Sequence, residues 1–164
     1  FVDELAVGNE RIDTSREPND ANTQADPPAR RLQRIAAAQP RNRTLDFHLE
    51  PAAVLTQIDQ SLADLESMVH RASESGCDVI VFPEDTLGLL NWLSASQNET
   101  AIASVLPVAV ERMMDRLGAA AASHKMHLVV CSDTLDPSGA IRNTAILVGP
   151  DGKEIGRYHK VNMP

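Results

Sequence analysis

The run Gly76-Cys77-Asp78-Val79-Ile80-Val81-Phe82-Pro83-Glu84 constrains this chain more than any other stretch. A glycine closes a helical pattern, and residues 78–82 read as a strand that is apolar from Val79 onward. An unbroken apolar run implies a strand covered on both faces, as in a sheet that carries helices. Pro83 has no N–H to give to a ladder and holds Phe82 extended, so the strand is predicted to stop there. Glu84 then emerges at the carboxyl end of a buried strand, where open α/β sheets place their ligand crevices. The alternative is a solvated acid that merely follows a strand.

The flanking segments fit a layered fold. Ile35 to Gln39 reads as a short buried strand ended by Pro40, although its alanines suit a helix equally. Glu50-Pro51 opens a helix in which Val54, Ile58, Leu62, Leu65, Val69 and Ala72 recur at steps of three and four, one apolar stripe that Gly76 stops. Residues 85–106 show no clean period, contain the only tryptophan, Trp92, and read as a lid or binding loop. A second helix is predicted from near Pro107, with Val110, Met113, Met114, Leu117 and Ala121 on one face. His127 to Cys131 is the next strand. Ile141 to Val148 and Glu154 to Lys160 then flank Gly149-Pro150-Asp151-Gly152, whose Asp-Gly pair marks a hairpin turn. The order of strand, helix, strand, helix, strand and hairpin gives an α/β fold with a mixed sheet.

The beginning of the chain is different in kind. Residues 1–8 partly alternate and read as one short strand, which has no evident partner and is assigned to a β-module lying upstream. That strand resembles the closing strand of the jelly-roll modules that precede some bacterial hydrolases. Residues 9–33 are mostly polar, carry Pro18, Pro27 and Pro28, and read as a disordered linker. The expected layout is therefore 1–8, linker 9–33 and a catalytic-type domain from 34 to 164. Phe1 in place of methionine, and an end at Pro164 directly after a strand, mark the chain as an internal piece of a longer protein.

Composition excludes several functions. A net charge of −8 with no basic stripe argues against nucleic-acid binding, and an aromatic content of 3% leaves few platforms for stacking bases. No apolar run reaches the roughly 18 residues of a membrane span. His124 and His127 are the nearest approach to a metal pair, but His127 begins a strand, so no metal is expected. No glycine-rich phosphate loop occurs, and no cofactor is implied. Cys77 and Cys131 form no Cys-x-x-Cys pair and are expected to be small buried hydrophobes.

Three stretches together resemble the nitrilase superfamily, the carbon–nitrogen hydrolases. Arg34-Ile35-Ala36-Ala37-Ala38-Gln39 is similar to the family's first strand. Asp78 through Glu84 is similar to the strand that leads to its first catalytic glutamate. Asn143-Thr144-Ala145-Ile146, Asp151-Gly152 and Tyr158-His159-Lys160 are similar to the hairpin that leads to its catalytic lysine. The resemblance spans residues 34–164, about the first half of the family domain. It implies a truncated αββα sandwich, commonly dimeric or of higher homo-oligomeric order. It also implies hydrolysis of a small-molecule amide or nitrile through a cysteine thioester, with Glu84 as general base and Lys160 stabilising the tetrahedral intermediate.

Such roles suit the residue types: a thiol attacks well only as thiolate, and attack on an amide or nitrile carbon builds negative charge that an ammonium can hold. The family's nucleophile and second glutamate fall beyond Pro164, and neither Cys77 nor Cys131 matches the nucleophile position. An acyltransferase of the same family, or a non-catalytic α/β scaffold in which Glu84 and Lys160 are a structural ion pair, are the rival readings. The sequence does not specify localisation.

Overall fold

One mixed sheet organises the chain, its strands lying side by side in sequence order: β1 (Glu4–Glu10), β2 (Gln33–Gln39), β3 (Val79–Val81), β4 (His127–Leu135), β5 (Ile141–Val148) and β6 (Glu154–His159). The structure is a computed structural model and describes residues 4–10, 33–41, 44–90 and 99–161. β2, β3 and β4 are parallel neighbours, whereas β1 on one side and β5 and β6 on the other pair antiparallel. Helices α1 (Pro51–Glu74) and α2 (Glu99–His124) make the two crossovers. Both crossovers step the same way across the sheet. The right-handed rule therefore puts both helices on one face, and they touch there. Arg116 donates from Nε and Nη2 to the two carboxylate oxygens of Glu66 at 2.7 and 2.6 Å, and Arg112 Nη1 lies 2.6 Å from Asp59 Oδ2.

The core lies between the helices and this face. Every member of the predicted α1 stripe is buried, with Met68 and Ser61 added. Ala36, Ile80, Leu128, Val130, Ile146 and Val148 face it from alternate positions of the strands. The opposite face presents Val81, Val129, Ala145, Leu147 and Tyr158, and Tyr158 is 63% exposed. Among the described residues the arrangement is thus one helical layer on one sheet, half of an αββα order.

Three expectations are revised. The second helix begins at Glu99, well before Pro107, which lies inside it. The buried stripe Ile102, Val105, Leu106, Ala109, Met113 and Leu117 runs straight through the proline. Pro107 and Ala103, whose carbonyl loses its usual partner, are both solvent-exposed, so water can take over the missing bond. The segment expected to be irregular is accordingly helical over 99–106, while residues 91–98, with Trp92, lie outside the described residues. The early strand runs Glu4–Glu10 and does have a partner, pairing antiparallel with β2 from Glu4↔Gln39 to Glu10↔Gln33. β2 has that edge free because both crossovers step away from it. Asn9 and Glu10 belong to β1 and Gln33 to β2; residues 11–32 lie outside the described residues.

The β5–β6 turn docks on α2 through backbone alone. A Cβ added to Gly118 would lie 2.6 Å from the Gly152 carbonyl oxygen, and one added to Gly152, at φ +80°, would lie 2.5 Å from that of Gly118. Neither carbonyl can move without breaking a helix turn or the hairpin. Gly118→Ala is expected to destabilise the chain by about 1–3 kcal/mol through overpacking. Gly156→Ala, where a Cβ meets nothing within 4 Å, should stay within about 0.5 kcal/mol. Urea titrations followed by circular dichroism compare the two.

Candidate active site

β3 contributes only three residues to the ladder, and Pro83 shapes the loop beyond it. Phe82 still donates its N–H to the Val129 carbonyl at 2.9 Å. The chain then leaves the sheet over Pro83, Glu84 and Asp85 and returns at Thr86, whose N–H donates to the Cys131 carbonyl at 3.0 Å. The Thr86 hydroxyl accepts the Cys131 N–H at 3.0 Å and donates to the Pro83 carbonyl at 2.9 Å. Asp85 turns the other way from Glu84. Its carboxylate accepts the N–H groups of Leu89 at 2.8 Å and Leu90 at 3.1 Å, closing the next turn. Burial raises the Asp85 pKa above the usual range; the N–H groups of Leu90 and Leu89 oppose this, and Asp133 adds to it.

β6 runs in the same direction as β3, because two antiparallel steps follow the parallel pair β3–β4. Its carboxyl end therefore reaches the same edge of the sheet. The Lys160 N–H continues the pairing by donating to the Asn143 carbonyl at 2.9 Å. Lys160 Nζ then lies 2.9 Å from Glu84 Oε1, so the structure brings the two predicted site residues together. Their side chains are 40% and 54% exposed.

The neighbouring His159 goes to the other face, where Nδ1 is 2.9 Å from Thr144 Oγ1, itself 2.7 Å from Thr134 Oγ1. Sequence reasoning missed this pair of threonines, whose signal was the alternation of polar residues at the ends of otherwise apolar strands. A cavity of about 350 Å³ opens between α1, the turn after β2 and the loop that carries Glu84. Gln39, Arg41, Ser61 and Asp64 give it polar walls, Leu65 an apolar one, and Glu84 stands at its border. The volume lies in the range of small-molecule sites.

The cysteines divide. Cys77 is 6% exposed and sits in the core at the helix–strand turn, as expected. Cys131 is only partly buried. Its thiol pKa is pushed up by burial and then by the charge of Glu84, so it stays protonated beside the site. Among the described residues no group of three or more His, Cys, Asp or Glu side chains is placed to hold a metal. No described helix is long and apolar enough to cross a membrane.

Known proteins share this arrangement. The pattern of the family described as carbon-nitrogen hydrolase matches residues 34–164. A deaminated glutathione amidase of Synechocystis is 26% identical over 106 residues, covering 65% of this chain and 38% of its own length. Among solved structures, an amidase from Nesterenkonia superposes with a TM-score of 0.58 at 22% identity, covering 80% of this chain and 44% of that one. The NitFhit protein of C. elegans gives 0.59 at 21% identity, covering 79% of this chain and 28% of that one. The chain thus spans less than half the length of these relatives. Sheet order, the edge where strands β3 and β6 end, and the match over residues 34–164 agree: this chain belongs to the carbon-nitrogen hydrolase family.

Proposed function

We propose that Glu84 and Lys160 are two members of a Glu–Lys–Cys catalytic set that hydrolyses a small-molecule amide. The cysteine comes from the remainder of the domain. The observation that carries this reading is the 2.9 Å contact between Lys160 Nζ and Glu84 Oε1 at the carboxyl ends of two strands that are not neighbours. In this scheme the Glu84 carboxylate takes the thiol proton and the thiolate attacks the carbonyl carbon. The oxygen gains the negative charge, which the Lys160 ammonium holds. Glu84 returns the proton to the departing amine as the C–N bond breaks, leaving a thioester. Glu84 then takes a proton from water, which attacks the thioester; the acid leaves and the thiol is restored. Support for an amide comes from the relatives, among them the Nesterenkonia amidase whose active site cysteine takes acrylamide by Michael addition.

In a full-length polypeptide that carries this chain and the cysteine, Glu84→Gln and Lys160→Met should each lower kcat on the order of 10²–10³-fold while leaving the melting temperature in place. A folded variant with near-normal turnover on a panel of aliphatic amides removes the role assigned to that residue.

Residues 1–164 alone should turn over none of these amides, because a base and a cation without a placed thiolate support no acyl-enzyme. Turnover by the isolated chain that disappears in Cys131→Ala would move the nucleophile to Cys131.

A further inference from the structure

We propose that Thr86 is the positioning residue for Glu84, an inference that rests on the catalytic reading of Glu84. The ladder itself shows what Thr86 does. Ile80 pairs with Leu128 and Val81 with Val129, so in a regular parallel continuation Phe82 would accept the Cys131 N–H and Glu84 would donate to the Cys131 carbonyl. Neither happens. The Thr86 hydroxyl takes the first of these partners and the Thr86 N–H the second. One residue thus performs the two backbone duties that a regular strand would give to Phe82 and Glu84, and three residues are released into a loop. The same hydroxyl fixes that loop from inside by donating to the Pro83 carbonyl at 2.9 Å. Thr86 is 4% exposed, so water does not compete for these bonds.

The released loop is what lets Glu84 reach its partner. β4 and β5 stand between β3 and β6. Three spacings of about 4.8 Å put the outer strands about 14 Å apart. From standard bond lengths an extended lysine reaches roughly 6 Å from its Cα and a glutamate roughly 4 Å. With Glu84 kept in the ladder the pair would fall several ångströms short. With the loop closed by Thr86, the two meet at 2.9 Å. Valine has the shape of threonine but neither donates nor accepts, so Thr86→Val leaves the Cys131 N–H and the Pro83 carbonyl without partners. The loop can then settle back toward the strand and carry Glu84 away from the site.

The test uses the full-length polypeptide and the aliphatic amide it turns over best. Thr86→Val and Thr86→Ala should lower kcat by about 10- to 100-fold with KM changed less than about threefold, the pattern of a misplaced group that acts in the transition state. Thr86→Ser keeps the hydroxyl and should stay within about threefold of the unaltered protein in kcat. Added to Glu84→Gln, Thr86→Val should cost less than about threefold more, because its effect passes through the carboxylate already removed.

Normal kcat in both Val and Ala variants overturns the inference. So does a serine variant as slow as the valine one, or full additivity with Glu84→Gln. If Val and Ala do not fold while Ser does, the hydroxyl holds the fold rather than the carboxylate, and the inference also fails. Normal turnover by Glu84→Gln itself would instead overturn the catalytic reading, and so separates the two failures.

Discussion

The short parallel ladder of β2, β3 and β4 is the constraint on which the other features rest. β3 offers it only Val79, Ile80 and Val81, with Ile80 wholly buried against the helices. It is nonetheless the strand that fixes where both halves of the site arrive. Its carboxyl end delivers Glu84 directly. Its parallel pairing with β4 sets the direction of the later antiparallel turns, and so the edge at which Lys160 emerges. Burial of one sheet face under α1 and α2 holds this register, because a slip by one residue would turn Ile80 out and Val81 in.

The contact between Glu84 and Lys160 is placed by this frame and contributes little to holding it together. With the two side chains about half exposed, the attraction is of the weak kind measured for surface pairs, on the order of 0–1 kcal/mol. A lysine that must hold charge on a tetrahedral intermediate acts far more strongly where water is excluded, since Coulomb energies rise several-fold as the effective dielectric falls from that of water to about 20. Geometry and dielectric are therefore separable in this family member. The first is already present in a chain spanning less than half the length of its relatives, and the second depends on what covers the exposed edge.

Much of this was legible in the sequence, for reasons that can be named. The stripe of α1, the Asp151-Gly152 turn and the Val-Ile-Val run each carry a local signal, and all three elements stand where the spacing puts them. The start of α2 was not legible because Pro107 imitates a first-turn proline, and only the tertiary burial of Ile102, Val105 and Leu106 overrides it. The pairing of β1 with β2 joins segments separated by a long polar stretch, so no local pattern announces it. The turn Asp136-Pro137-Ser138-Gly139 carries a plain local signal that went unused. There the Asp136 carboxylate accepts the N–H groups of Ser138 and Ala140, closing a hairpin between β4 and β5. Thr86 was invisible for another reason: a single threonine carries no period, and its importance appears only once Cys131 lies beside it.

The contact between Gly118 and Gly152 gives the site a lever. The β5–β6 hairpin is clamped to α2 at its turn, and Lys160 sits at its far end, eight residues beyond Gly152. At about 3.3 Å per residue the arm is roughly 25 Å long. A tilt of only about 2° at the clamp then displaces the ammonium by about 1 Å, a shift large enough to cost a reaction on the order of a hundredfold. The end of the sheet farthest from Glu84 thereby sets the accuracy at which the lysine arrives, with two missing side chains serving as the bearing.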